Sequence, residues 1–288
     1  MVTGARGMVG QAVYEHCRSL GDVVLPHDHQ SLDIADLDQV LSVFEKEKPE
    51  VVINCAAWTD VDGCEVDNDR AYEVNARGPE NLAAASRQLD AAFITISTDY
   101  VFDGDKSGFY TQRDNPNPQS VYAASKREGE LRAQVAHAAT IVVRTGYVFG
   151  PGGKNFLSTI VKRARAGETL AAISDAFGTP TYSRDLAKRL RELGRQNLPG
   201  LYHVVNSGQG VSFDEFAQEA LIVAGCTDVA IERISMASLK RPAPRPRNSR
   251  LRCLLSEAIG LAPMPSWRDA LVEFVQSDRE SNSVEAVR

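Results

Sequence analysis

Met1-Val2-Thr3-Gly4-Ala5-Arg6-Gly7-Met8-Val9-Gly10 opens the chain, with its glycines three residues apart. Glycines at that spacing let a strand turn sharply into a helix, bring bare backbone against a ligand and aim the helix N-terminus at negative charge. The stretch therefore predicts a pyrophosphate cradle made by Gly4, Arg6, Gly7, Met8, Val9 and Gly10. Only Met1 and Val2 precede the turn, where a strand of about five residues is usual. In a sheet of order 3-2-1-4-5-6 the first strand needs a partner on each side. The first strand thus reads as truncated, with a start expected a few codons upstream.

The residues that follow decide whether the turn belongs to a dinucleotide fold. Short β-branched runs at 22–25, 51–54, 92–97 and 140–144 alternate with helical spacing at 8–20, 37–48, 67–89 and 121–137. That alternation is the pattern of βαβ units, and right-handed crossovers place the helices on both faces of a parallel sheet. The expected class is α/β, a doubly wound Rossmann-like sheet. After about residue 150 the alternation loosens and Pro/Gly punctuation increases. Residues 1–150 are therefore read as the dinucleotide-binding part, and 151–288 as a smaller, mainly substrate-binding part interleaved with it. Ser212-Phe213-Asp214-Glu215 reads as a capping box at a helix start. The stretch 277–288 is polar and expected to fray, and the proline-rich 240–246 is expected to be a loop.

Composition excludes several classes of function. The 288 residues are 43% hydrophobic and 24% charged, enough for one large core or two modest ones. A net charge of -6 leaves no electrostatic footprint for nucleic acid. No apolar run approaches the ~20 residues that span a bilayer. Neither nucleic acid nor membrane is an expected partner, and without an export signal the expected location is cytoplasmic. Cys17, Cys55, Cys64, Cys226 and Cys253 lack C-x-x-C spacing, so reduced thiols are expected. His27 and His29 flank Asp28 without a third ligand, and no metal site is expected.

The chemistry is carried by few residues. Tyr122 has Lys126 four positions on, which puts both side chains on one helix face. About 25 residues earlier an apolar run ends in Ser97-Thr98-Asp99-Tyr100, and strand ends are where doubly wound sheets place their sites. An ammonium beside a phenol favours the phenolate, so Lys126 is expected to lower the pKa of Tyr122. A Thr98 or Ser97 hydroxyl sharing a carbonyl oxygen with Tyr122 would stabilise charge as hydride arrives.

These three features together resemble the extended short-chain dehydrogenase/reductase family. Finer motifs narrow the resemblance: Asn54-Cys55-Ala56-Ala57-Trp58-Thr59-Asp60-Val61-Asp62, Asn75-Ala76-Arg77-Gly78-Pro79, Thr98-Asp99-Tyr100-Val101-Phe102-Asp103-Gly104, Gly150-Pro151-Gly152-Gly153 and Phe177-Gly178-Thr179-Pro180-Thr181 are similar to those of the dTDP-4-dehydrorhamnose reductases. The resemblance implies NAD(P)H-dependent reduction of the 4-keto group of a dTDP-linked 4-keto-6-deoxy sugar. By position it makes Tyr122 the proton donor, gives Lys126 the nicotinamide ribose, and has Thr98 polarise the carbonyl. It places Asp33 and Ile34 near the adenine and Ala56, Ala57 and Ser97 along the cofactor. Asp99, Tyr100, Tyr147, Asn155, Arg245 and Asn248 become candidates for the nucleotide sugar. Tyr147 departs from the family, which usually has Trp there. Some relatives hold magnesium at a dimer contact, so a homodimer is a partner to test.

The cofactor reading leans to NADPH, with NADH open. Asp28 stands where an acid binds the 2'-hydroxyl of NAD, whereas Arg6 would meet the 2'-phosphate of NADP. Competing readings meet specific objections. A 4,6-dehydratase needs a second carboxylate where Tyr100 stands, and an epimerase-reductase needs a cysteine near that strand end. A non-catalytic NADP-binding regulatory subunit is opposed by intact Tyr122, Lys126 and Thr98.

Overall fold

The computed structural model describes residues 1–285. A parallel sheet of six strands runs, from edge to edge, Gly200–His203, Ile141–Thr145, Ala92–Thr98, Val51–Asn54, Val2–Thr3 and Pro26–His27. In chain order that is 6-5-4-3-1-2. The expected 3-2-1-4-5-6 order is thus corrected: residues 28–36 form turns, so no strand follows Pro26–His27 on its outer side.

The first strand has two residues and spends them on both neighbours. Val2 pairs with Pro26 and Ile53, and Thr3 with His27 and Asn54. The Met1 ammonium donates to the Val51 carbonyl at 2.7 Å, and burial pulls its pKa down to about 6. This short strand also explains a shift in the second. The run expected at 22–25 has only the Val2 amide, on the Leu25 carbonyl, to pair with, so ladder structure begins at Pro26–His27. A strand exists only where a neighbour lies beside it.

Helices cover both faces. Met8–Ser19 and Ser183–Gln196 pack with Val2, Ile53, Ile94, Ile141 and Val143 on one side. Leu37–Glu47, Gly78–Gln88 and Val121–Ala136 cover Val52 and Phe93 on the other. A further core of Phe149, Tyr182, Phe216, Trp267 and Phe274 gathers helices Phe156–Arg165, Phe213–Ala224 and Trp267–Glu285. The capping box forms as read, with Ser212 and Glu215 each satisfying the other's amide. Helix Trp267–Glu285 continues through the stretch expected to fray from Ser277; 286–288 lie outside the described residues.

The segment expected as one helix over 67–89 is helical without a gap over 68–88, and it contains a π-turn. Asn68–Tyr72 leads into a π-helical turn, Glu73–Arg77, before Gly78–Gln88. Pro79 has no amide to offer the Asn75 carbonyl, and that carbonyl instead faces Gly129, where a Cβ would collide with it. The Asn75 side chain accepts from the Trp58 amide at 2.9 Å and donates to the Ser125 hydroxyl at 3.1 Å.

Helix Val121–Ala136 is fastened to the sheet by a buried ion pair. Glu130 Oε1 accepts from Arg144 Nε at 2.8 Å, and Oε2 from Arg144 Nη2 at 2.7 Å and Arg127 Nη1 at 2.6 Å. Both Glu130 and Arg144 side chains are 1% exposed, and Arg144 stands opposite Ser97 in the ladder. Removing one partner of such a pair leaves a buried charge uncompensated and costs roughly 3–5 kcal/mol. Glu130→Ala should lower the unfolding free energy by about that amount, as read in a denaturant titration; a change below about 1 kcal/mol would mean the pair does not hold this helix.

Candidate functional site

The site forms where the strand ends meet the glycine turn. Thr3 Oγ1 donates to Asn54 Oδ1 at 2.7 Å, and Asn54 Nδ2 donates to Thr95 Oγ1 at 3.1 Å, so two strand ends are tied to the middle of strand Ala92–Thr98 by buried polar groups. Asn54 Oδ1 also accepts from the Ala56 amide at 3.1 Å, which shapes the Cys55-Ala56-Ala57 turn. Gly4, at φ +65°, presses on that turn: a Cβ there would lie 2.7 Å from the Ala56 nitrogen. At Gly10 a Cβ would collide with the Gly4 carbonyl oxygen. Gly7 caps helix Met8–Ser19 without a side chain, and the first turn holds no acidic residue. Free amides at a helix start with no competing carboxylate fit a pyrophosphate.

A cavity of about 450 Å³ opens beside this turn. It brings Gly7, Met8, Val9 and Gly10 together with Ala56, Ala57, Ser97, Thr98, Asp99, Tyr100, Tyr122, Lys126, Tyr147 and Asn155. Its size suits a ligand of cofactor or sugar dimensions. Lys126 is buried, donates from Nζ to the Ile96 carbonyl at 2.7 Å, and burial pulls its pKa down to about 8 against the pull of Glu130. The expected lowering of Tyr122 is corrected. Burial pushes the phenol well above its usual value, a hydrogen bond with Thr98 opposes this only in part, and the ammonium is turned to the Ile96 carbonyl. Tyr122 is therefore held as a protonated phenol.

Thr98 Oγ1 donates to Asp99 Oδ1 at 3.1 Å and accepts from the Tyr100 amide at 3.2 Å. Burial pushes the Asp99 carboxyl up to about 6 and the Tyr100 phenol up to about 12. Tyr100 meets Tyr122 edge to face, ring centroids 6.2 Å apart. Tyr147, at φ +45°, lies under Gly178, where a Cβ would strike its ring. It stacks on Phe213 at 4.4 Å and donates to the Ala176 carbonyl at 3.2 Å, so it forms a fixed wall.

Other candidates stand apart from the cavity or are already engaged. Asn155 lines it, but its side chain caps helix Phe156–Arg165 through the Ser158 amide and donates to the Val148 carbonyl. Arg245 does not line the cavity; it forks onto Asp62 at 2.5 and 2.7 Å and pulls that carboxyl down to about 2. Asn248 is likewise absent from the lining, its amide held by the Lys106 and Gly108 carbonyls. Ile34 is buried in the core against Gly78, and Asp33 accepts from the Ala35 amide. Arg6 and Asp28, weighed as alternatives, form an ion pair at 2.6 Å. Asp28 Oδ1 already accepts from the Gln30 and Ser31 amides, both at 3.0 Å, and from the Ser31 hydroxyl.

Thr145 and Phe213 are among the lining residues that the sequence did not single out. Thr145 pairs with Thr98 in the ladder, and its buried hydroxyl has no hydrogen-bond partner. The same signal that singled out Thr98, a hydroxyl closing an apolar strand, was present at Arg144-Thr145. Phe213 reaches the cavity from the start of a helix remote from Thr145 along the chain, and no local pattern marks it as a lining residue.

Residues 1–280 match the RmlD substrate binding domain family. A dTDP-4-dehydrorhamnose reductase from Streptomyces griseus is 36% identical over 95% of this chain and 91% of its own. The crystal structure of a dTDP-4-dehydrorhamnose reductase from Clostridium acetobutylicum superimposes with a TM-score of 0.92 at 36% identity, covering 96% of this chain and 98% of that one. One from Bacillus anthracis, in complex with NADP, does so with the same score and coverage at 35% identity. With a family match over nearly its whole length and relatives above one-third identity, the chain belongs to the RmlD family of dTDP-4-dehydrorhamnose reductases.

Proposed function

We propose that the chain reduces the 4-keto group of dTDP-4-dehydrorhamnose to give dTDP-L-rhamnose, with NADPH as reductant and in the cytoplasm. The observation that carries this reading is the convergence of Tyr122, Thr98 and Lys126 in one cavity beside the uncapped glycine turn. Gly4, Gly7, Met8, Val9 and Gly10 would hold the cofactor pyrophosphate, Ala56, Ala57 and Ser97 would flank it, and Lys126 would take the ribose. The cofactor supplies the hydride. Tyr122 and Thr98 direct their hydroxyls at the carbonyl oxygen, and Tyr122 gives its proton as that oxygen becomes an alcohol. Its raised pKa suits an acid in the reducing direction, because the phenol stays protonated until an alkoxide, a stronger base, forms beside it. The Lys126 ammonium, still charged at neutral pH with a pKa near 8, is anchored on the Ile96 carbonyl and keeps its other donors for the ribose. No described helix is long and apolar enough to cross a membrane.

The Arg6–Asp28 pair supports NADPH over NADH. Asp28 Oδ1 accepts three hydrogen bonds from Gln30 and Ser31, and Oδ2 is turned to Arg6. Its effect is to hold Arg6, whose side chain is 74% exposed, where a 2'-phosphate would meet it.

Two measurements test these assignments. Tyr122→Phe should lower kcat for reduction by roughly 100- to 10,000-fold while NADPH still quenches protein fluorescence; unchanged turnover would remove Tyr122 from the chemistry. Arg6→Ala should cost roughly 10- to 100-fold in kcat/KM with NADPH and leave NADH little affected. An unchanged ratio of the two cofactors would sink the Arg6 assignment.

A further inference from the structure

Thr98 has one hydroxyl hydrogen, and ketone reduction asks it to donate that hydrogen to the substrate oxygen. In the structure the hydrogen is spent on Asp99 Oδ1, at 3.1 Å. The same oxygen accepts from the Tyr100 amide at 3.2 Å. Thr98 therefore donates to Asp99 and not into the cavity.

Asp99 is 3% exposed, although it borders the cavity. Gly146 packs on its carboxyl so closely that a Cβ there would collide with it. Ser249 faces Oδ2 without a well-formed hydrogen bond. Tyr100 from its own turn, Tyr122 from helix Val121–Ala136 and Tyr147 beyond strand Ile141–Thr145 complete the surroundings. Charged groups stand behind that shell: Arg241, Arg245 and Asp62 around Tyr100, and Lys126 at the Ile96 carbonyl. The carboxyl thus faces hydroxyls and phenols, and burial holds its pKa near 6.

We propose that Asp99 is a positioning residue that decides where the Thr98 hydrogen points: ionised, it keeps that hydrogen; protonated, it donates to Thr98 and frees the hydroxyl for the substrate carbonyl. The proposal rests on the reduction reading and adds the group that arms it. Atoms balance without Asp99: the carbonyl carbon gains hydride from NADPH, its oxygen gains the Tyr122 proton, and solvent restores that proton. Asp99 keeps its own.

The test compares kcat/KM against pH for wild-type and Asp99→Asn protein, both saturated with NADPH. The wild type should lose about tenfold per pH unit once Asp99 ionises. Asp99→Asn, whose amide donates to Thr98 at every pH, should hold a flat profile over that range. A variant that declines as the wild type does, or that is inactive at every pH while still binding NADPH, overturns the proposal. A second readout does not depend on turnover: the infrared carboxyl band that Asp99→Asn removes should titrate near 6 in the wild-type NADPH complex, and a band absent down to about pH 5 overturns the proposal as well. Wild-type protein that oxidises no NADPH at any pH fails the reduction reading instead, a result that the infrared titration separates from failure at Asp99.

Discussion

The buried hydrogen bonds joining Thr3, Asn54 and Thr95 set the floor on which everything else in the site stands. A strand of two residues has few ladder bonds with which to hold its place, and these side chains add cross-strand ties at the point where it turns into the glycine loop. An unpaired polar group there would cost about 1–3 kcal/mol. With the strand ends locked, Gly4 has to pass directly over the Ala56 nitrogen, and only a residue without a side chain fits at that distance and φ. The same Asn54 oxygen that closes the tie accepts from the Ala56 amide, so the glycine turn and its neighbouring turn share one anchor.

Burial at this floor also sets the electrostatics. Each titratable group that lines the cavity floor is shifted first by loss of water and only then by its neighbours, which is why Tyr122 rises and Lys126 falls although they share a helix face. Opposite shifts in an acid and a base are what a dry site produces. The Glu130–Arg144 pair keeps that helix at a fixed height against Ser97 and Thr98, one ladder step from the strand end. Lys126, Glu130 and Arg144 form a continuous run from the cavity into the sheet, and Tyr122 is positioned by the same run.

Much of the site was legible because its signals are local. Glycines three apart dictate a turn, a tyrosine and a lysine four apart share a face, and a hydroxyl at the end of an apolar run lies at a sheet's edge; none of these needs a distant partner. The parallel sheet followed from alternating periods for the same reason. Expectation and structure parted where an outcome depended on what lies alongside: the run at 22–25 had little to pair with, and the helix over 67–89 takes a π-turn where Pro79 withholds an amide.

Arg245 shows the limit most directly. The family resemblance made it a candidate for the nucleotide sugar, but Asp62, 183 positions away, holds both ends of its guanidinium. Arg6 and Asp28 were weighed as rivals and are partners. The sequence by itself determined the backbone geometry of the turn, the shared face of Tyr122 and Lys126, and the alternation that builds the sheet, since each is set by spacing within a few residues. Tertiary structure alone decided which charges pair, which hydroxyl spends its hydrogen where, and in which direction each pKa moves, because those depend on distance and water exclusion between segments that are remote along the chain.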